Sequence, residues 1–394
     1  MYQWCVDRAV LPYPQMLRFM AHLVLFFRSL GVVETKKEAL CNAVIEAFVD
    51  YLIAEKELDL IAIYVATLHR TRQIDLYARL LKGVNETDQR RHCLELGERS
   101  GLDIFSITKL VVETIGNAAS ADFTAIVDSQ LNAATCDDDL LRIDSLELTF
   151  RTEQRSEALR QANTMMRSFL ASHKLQACGL ASRKIPQDSL KLITKSWKDQ
   201  AGDVNLPAED ENAVREYLCI NAYLDAHESF TDWFQHCHNA RPTLPNIALG
   251  ATFSERVAYE HQQRQYEQEL DRWQHSLDLQ TQVTVDRICS VLQFVDGGWL
   301  VDVRTDGNED ERRHRQMLQL RLLCLPPLCL LLHQVLHTTK RYKECVQIAD
   351  CVTDEQHRLY KVFRTDEIQN LLSKIRESSL ALLDAGMDPL CYPL

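Results

Sequence analysis

Apolar residues recur along this chain at the spacing of amphipathic α-helices, in which positions i, i+3, i+4 and i+7 share one face. Such stripes run through most of the 394 residues, with short polar connections between them. The first six span residues 16–30, 40–52, 58–68, 76–84, 89–99 and 104–115. They share no fixed repeat length, so the pattern predicts an all-α fold of stacked helical hairpins, an irregular helical solenoid.

The first stripe contains Met16, Phe19, Leu23 and Phe27 and is predicted to be the packing face of the first helix. The end unit of a helical array has a neighbour on one side only. We therefore expect the stripe from Met16 to Phe27 to be partly uncovered, with a tendency to aggregate at low salt.

The apolar stripes stop between Gly116 and Asp139, where Asn, Ala, Ser and Asp replace them. This change of composition predicts a domain boundary, with a helical trunk at 1–125 and a helical tail at 126–394. One helix beyond the boundary is predicted to face inward with Ala158, Ala162, Met165, Met166 and Phe169. A later one is predicted to do so with Val214, Tyr217, Leu218 and Ala222.

Several helix boundaries can be predicted from the sequence. Thr252-Phe253-Ser254-Glu255 has capping-box spacing and opens a stripe of about 40 residues, which Asp296-Gly297-Gly298 is predicted to stop. Pro326-Pro327 is predicted to end one helix and begin another, because proline is best tolerated in the first turn. The last helix is predicted to start at Thr365 and to have Gly386 as its C′ residue.

Composition excludes several classes of function. Glycine supplies only 12 residues, which disfavours phosphate loops and dinucleotide turns, and the net charge of −12 disfavours nucleic acid. The thirteen cysteines are scattered through apolar stripes, which indicates reduced, mostly buried thiols. The most apolar run, residues 322–332, is shorter than the roughly 20 residues of a membrane span, so no membrane insertion is predicted.

Two groups of residues suggest chemistry at first sight. Cys324, Cys329, His333 and His337 are zinc-ligand types, but the last three lie one turn apart on one leucine-rich stripe, and zinc needs four converging ligands. We therefore predict that these four residues bind no metal. His236-Cys237-His238 lacks a base placed by the fold, and we predict a helix end there. No catalytic residue or cofactor is predicted.

Five segments carry a family resemblance when they are taken together. They are Lys184-Ile185-Pro186-Gln187-Asp188-Ser189, Leu206-Pro207-Ala208-Glu209-Asp210, Phe294-Val295-Asp296-Gly297-Gly298-Trp299, residues 322–333 and Arg376-Glu377-Ser378-Ser379. In order and spacing they resemble the C-terminal half of the 107-kilodalton nucleoporin family, which belongs to the Y-shaped scaffold complex of the nuclear pore. The resemblance covers nearly the whole chain.

The resemblance implies an irregular helical stack related to vesicle-coat proteins, in which a trunk is followed by a tail module. It implies a structural role in pore assembly and in mRNA and protein transport, at the nuclear pore and at the kinetochore in mitosis. The tail is then expected to bind the C-terminal region of the 133-kilodalton nucleoporin, and other Y-complex nucleoporins are further partners. The crown that docks the 96-kilodalton nucleoporin is expected upstream of Met1. A helical vesicle-coat or tethering subunit is the alternative, and a helical enzyme is a third class.

The segment from Tyr342 to Leu383 has more apolar residues than one packing face can use. The residues predicted to bind the partner are Tyr342, Leu359, Tyr360, Phe363, Ile368 and Leu371. Tyr360 and Phe363 are the expected anchors, because aromatic residues dominate interface hot spots. Leu372 and Ile375 are predicted to fill the core of the tail.

Overall fold

The computed structural model describes residues 14–31, 35–84, 86–117, 135–150, 155–201, 207–245, 253–295, 297–304 and 311–387. Within these ranges the chain forms fifteen α-helices and one short 3-10 helix, and no strand. The prediction of an all-α fold is confirmed. The predicted domain boundary at 125/126 and the side chains of the predicted capping box at 252–255 lie outside the described residues.

Most of the helices follow one another with connections of six residues or fewer, as in stacked hairpins. Their bounds are α1 (Pro14–Ser29), α2 (Thr35–Glu55), α3 (Leu58–Val65), α4 (Arg70–Gly83), α5 (Thr87–Arg99), α6 (Ile104–Asn117), α7 (Asp137–Thr149), α8 (Arg155–Ala171), α9 (Leu175–Lys184), α10 (Ser189–Ala201), α11 (Ala208–Asn239), α12 (Phe253–Leu292), α13 (Glu311–Thr338), α14 (Tyr342–Thr353), the 3-10 helix (Leu359–Val362) and α15 (Thr365–Asp384).

The chain divides into two compact units. The first comprises residues 1–121, 136–158 and 184–186, and contains α1 to α7 with the first turn of α8. In it α1 packs against α2, α2 against α3, α4 against α6 and α6 against α7. Its core includes Ile45 and Val49 on α2 and Tyr77 and Leu81 on α4, pairs whose spacing of four places both members on one helix face.

The second unit comprises residues 122–135, 159–183 and 187–394. Its longest elements, α11 and α12, pack against each other in antiparallel directions. Trp233 on α11 donates a hydrogen bond to Thr281 on α12 at 3.0 Å, and Trp273 on α12 donates one to the carbonyl of His236 at 3.1 Å. α13 packs against α12, α14, the 3-10 helix and α15. The C-terminal helices are therefore built around α13.

The long stripe predicted after residue 252 is one helix of 40 residues. It ends at Leu292, a few residues before the predicted stop. Gly297 and Gly298 then adopt left-handed φ angles of 97° and 112°, which residues with a Cβ rarely adopt. The turn brings Trp299 into the core, where its indole donates a hydrogen bond to the Cys219 carbonyl at 2.6 Å. Gly386, with φ of 77°, follows α15 as predicted.

The prediction that Pro326-Pro327 separates two helices is wrong, because α13 runs through both prolines from Glu311 to Thr338. Pro326 is buried, as are Leu325, Leu328 and Leu332 on the same helix. Burial of these side chains on both sides of the prolines offsets the loss of helix hydrogen bonds. α13 is also long and apolar enough to cross a membrane, but 56% of its apolar window is buried inside the protein. We interpret it as a core helix.

Replacing Pro327 with alanine is expected to stabilise the second unit by about 1–3 kcal/mol, since alanine restores a helix N–H and removes a clash. Pro327 is exposed, so the substitution leaves no cavity. Urea unfolding followed by tryptophan fluorescence measures the change. A loss of stability would show that the prolines set a bend that the core requires.

Two predicted packing faces are also wrong. α1 is apolar on both sides, and it packs with Leu17, Ala21 and Val24, while Met16 and Phe19 lie on the opposite, exposed side. The expectation that the 16–27 stripe is partly uncovered is confirmed. On α11 the predicted Leu218 is exposed, and the buried positions include the following set: Asn212, Ala213, Glu216, Cys219, Ile220 and Tyr223. The inward residues predicted on α8 are all buried.

Candidate partner-binding site

The C-terminal part of the second unit is a small helical assembly formed by α13, α14, the 3-10 helix and α15. Buried side chains hold α15 in place, namely Leu371, Ile375, Ser378 and Leu382 on its inner side. They recur at spacings of three and four, as one face of a helix requires. Among the residues predicted for the core, Ile375 is therefore confirmed.

The six residues predicted to bind a partner divide into two groups. Leu359 and Leu371 are each only 2% exposed, so they belong to the core of the assembly, and their assignment as contact residues is corrected. Tyr360 is exposed, and Tyr342, Phe363 and Ile368 are half-buried. Leu359 and Leu371 thus position their neighbours in the chain, Tyr360 and Leu372, on the outside.

The prediction that Leu372 fills the core is wrong, since 55% of this residue is exposed. Its position on α15 lies close, around the helix, to those of Ile368 and Leu383, and Leu383 is exposed as well. α15 therefore carries a second apolar row beside its buried one. We call Tyr360, Phe363, Ile368, Leu372 and Leu383 the tail face.

Local hydrogen bonds fix the segment that leads into the tail face. Asp354 accepts a hydrogen bond from the His357 ring at 2.6 Å, and its pKa is lowered mainly by this bond. Arg358 then adopts a left-handed φ of 49°, which turns the chain into the 3-10 helix. At the start of α15 the Glu367 carboxylate accepts the Arg364 backbone N–H at 2.8 Å.

A buried charge cluster lies elsewhere in the same unit and was not predicted from the sequence. Glu216 on α11 is 2% exposed and binds Arg167 of α8 and Arg313 of α13, the latter at 2.8 Å. Asp302 also binds Arg313. Burial alone would lower the pKa of Arg313, but the hydrogen bonds and charges of Asp302 and Glu216 raise it overall. These residues line a cavity of about 560 Å³.

The four residues considered as a zinc site do not converge. Cys324 is buried and hydrogen-bonded with Tyr223, whereas the side chains of His333 and His337 both contact Ser378 on α15. Cys329 is buried, and burial followed by the nearby thiols of Cys351 and Cys289 raises its pKa. The eleven cysteines in the described ranges are all free, and burial raises the pKa of Cys324 to about 12.

At His236-Cys237-His238 the structure has the end of α11, as predicted. His236 stacks on Trp273 at 6.3 Å between ring centroids, and Cys237 is half-buried. Burial raises the pKa of Cys237, which disfavours the thiolate that a nucleophile needs.

A family model for nuclear pore proteins matches residues 6–379, nearly the whole chain. The chain belongs to the nuclear pore protein 84 / 107 family. This membership confirms the resemblance found in the sequence and the predicted localisation at the nuclear pore. The family is one of nuclear pore proteins and not of vesicle-coat or tethering subunits.

Individual members of the family are similar throughout the chain. Nuclear pore complex protein Nup107 of Mus musculus and that of Homo sapiens are each 47% identical over 381 residues, 96% of this chain and 41% of the relative. Nup107 of Drosophila melanogaster is 35% identical over 396 residues, 97% of this chain and 46% of the relative. The chain therefore spans less than half the length of these relatives.

Acid is expected to destabilise the second unit of this nuclear pore protein through His227 on α11. Burial lowers the pKa of His227, so between that pKa and the ordinary histidine value the unfolded chain binds more protons than the folded one. Stability is then lost as the pH falls through this window. Thermal melts from about pH 7.5 to about pH 5 measure the loss.

His227→Gln is expected to reduce this pH dependence. His238→Gln is the control, because His238 is exposed on the same helix. Equal pH dependence in the wild-type chain and in His227→Gln would contradict the prediction.

Proposed function

We propose that this chain is a structural scaffold subunit that links neighbouring nucleoporins of the Y-shaped complex through its C-terminal tail. The observation that carries the proposal is the tail face on a member of a nuclear pore protein family. The partner proposed for it, from the family resemblance, is the C-terminal region of the 133-kilodalton nucleoporin. The trunk and tail assignment at 1–125 and 126–394 is part of this proposal.

The tail face has the properties of a binding surface rather than of incomplete packing. α15 already buries one complete apolar row, so its second row is not needed to hold the helix in place. Ile368 and Leu372 lie one turn apart on α15, and neighbouring apolar side chains on a surface mark interaction sites more often than scattered ones do. Tyr360 adds an aromatic ring with a polar end, a type that is enriched in hot spots.

The rigid support beneath the tail face favours binding without reordering. Leu359 and Val362 anchor the 3-10 helix in the core, and Leu371 and Ile375 anchor α15. A preorganised surface loses little conformational entropy when a partner binds. The proposed role is therefore mechanical: a fixed helical end that joins two rods of the pore scaffold. In this role the chain supports pore assembly, mRNA export and protein import without catalysing a reaction.

The direct test is binding of the purified chain to the purified C-terminal region of the 133-kilodalton nucleoporin, measured by isothermal titration calorimetry. We expect a one-to-one complex with a negative heat-capacity change, the mark of buried apolar surface. Co-purification from cell extract, read by mass spectrometry, should recover Y-complex nucleoporins. Recovery of vesicle-coat or tethering subunits instead would overturn the proposal.

A further inference from the structure

Three side chains of metal-ligand type converge where α13, α14 and α15 meet. His333 and His337 lie one turn apart on α13, and Cys345 reaches them from α14. Their ligand atoms all lie within 4.8 Å of one another. His333 and Cys345 are buried and His337 is half-buried, so the cluster is largely shielded from solvent. Cys345 is eight residues beyond His337 on a different helix, so the spacing in the sequence does not group them.

Ser378 of α15 lies at the centre of this cluster. Its hydroxyl oxygen is 2.8 Å from Nε2 of His333 and 2.9 Å from Nδ1 of His337, and it is hydrogen-bonded with Cys345. A serine hydroxyl has one proton to donate. The Cys345 thiol in turn donates to the backbone carbonyl of His333 at 3.9 Å, so the four side chains form one polar cluster.

The orientation of His333 supports metal binding. Besides its contact with Ser378, it makes a hydrogen bond to the backbone of Lys374. Lys374 and Ser378 both lie on α15, so the two contacts tie the ring to that helix. Metal-binding histidines in proteins are commonly fixed by this kind of hydrogen bond to a carbonyl.

We propose that His333, His337 and Cys345 bind one zinc ion, with Ser378 facing the fourth position of the tetrahedron. Two nitrogens and one sulfur are donors that zinc prefers and that magnesium and calcium do not. Zinc bonds of about 2.1 Å to nitrogen and 2.3 Å to sulfur place ligand atoms about 3.3–3.6 Å apart. Side-chain rotations that move the ligand atoms by about 1 Å would bring them to these separations. Cys345 releases its proton to solvent on binding.

This proposal revises the sequence-based expectation that His333 and His337 bind no metal. That expectation took Cys324 and Cys329 as the other two ligands, and neither of them belongs to the cluster around His333 and His337. The third ligand comes from α14 instead. A zinc ion here would join α13 to α14 beneath α15, the helix that carries most of the tail face.

The test uses the full chain, freed of metal by a chelator and then titrated with ZnCl₂ or CoCl₂. We expect one ion per chain by elemental analysis. With cobalt we expect the visible bands of tetrahedral coordination and the near-ultraviolet charge-transfer band of a cobalt thiolate. Cys345→Ala and His337→Ala should each weaken zinc binding at least about tenfold, and Cys345→Ala should also remove the charge-transfer band.

Cys329→Ala is the matched control, because it removes another buried thiol from the same region and should leave binding and the cobalt spectrum unchanged. Zinc should also raise the melting temperature of the wild-type chain and not that of Cys345→Ala. A wild-type chain without a thiolate–cobalt band overturns the proposal, whether or not the variants fold. So does a band that Cys345→Ala retains, since the bound thiolate is then another cysteine.

Discussion

Glu216→Ala is expected to lower the free energy of unfolding of the second unit by about 3–5 kcal/mol, the usual cost of removing one partner from a buried ion pair. The carboxylate is shared by Arg167, whose side chain is 6% exposed, and by Arg313. Without it, Arg167 keeps its hydrogen bonds to Gln316 and Thr164 but has no carboxylate among the described residues to balance its charge. Arg313 keeps Asp302.

Glu209→Ala is the matched control. Glu209 lies on the same helix and makes an ion pair with Arg160 at 3.5 Å, but its side chain is 79% exposed. Exposed pairs contribute about 0–1 kcal/mol. Glu216→Gln should be intermediate, because the amide oxygen can still accept a hydrogen bond while the charge is lost. Urea unfolding followed by tryptophan fluorescence suits the measurement, since Trp233 and Trp299 are buried in this unit. Similar losses in Glu216→Ala and Glu209→Ala would contradict the prediction.

Periodicity predicted the helices of this chain more reliably than the faces they bury. α12 was predictable at its full length because one stripe continues without a breaker to its end. α1 was not, because both of its sides are apolar, and a stripe gives no sign of which side a neighbour covers. The same ambiguity applies to α15. Leu371 was predicted to contact a partner but is buried, and Leu372 was predicted to fill the core but is exposed.

The two prolines of α13 and the buried charge of Glu216 show a second limit of prediction from the sequence. Pro326 and Pro327 act locally against a helix, but α13 continues through them because its neighbours bury the side chains on either side. The sequence around Glu216 is typical of a solvent-exposed residue, because its partners Arg167 and Arg313 lie 49 and 97 positions away in the chain. Cys345 likewise becomes a neighbour of His333 only when α14 folds back on α13. The helix through the prolines, the burial of Glu216 and the position of Cys345 all depend on packing between distant parts of the chain. Local sequence patterns carry no information about that packing.

Leu372→Asp is expected to abolish binding of the 133-kilodalton nucleoporin region while leaving the fold intact. Leu372 lies in the middle of the tail face and is 55% exposed, so a carboxylate there remains solvated in the free chain. In a complex the same carboxylate would be buried against apolar surface without a partner. A loss of at least about 2 kcal/mol, typical of a hot spot, corresponds to a weakening of about thirtyfold or more. Calorimetry measures the affinity, and circular dichroism confirms that helicity is unchanged.

Leu279→Asp provides the control. Leu279 on α12 is 58% exposed, and its replacement introduces the same charge on a helix outside the tail face. Its affinity should match that of the wild-type chain. Phe363→Asp should also abolish binding with helicity unchanged. Because Phe363 is half-buried, circular dichroism is needed to distinguish a lost contact from an unfolded tail. Unfolding of the tail in that variant would assign Phe363 to the core. Full binding by both Leu372→Asp and a folded Phe363→Asp would place the interface elsewhere on the chain, since a partner that covers the tail face would bury the new carboxylate of either variant at a measurable loss of affinity.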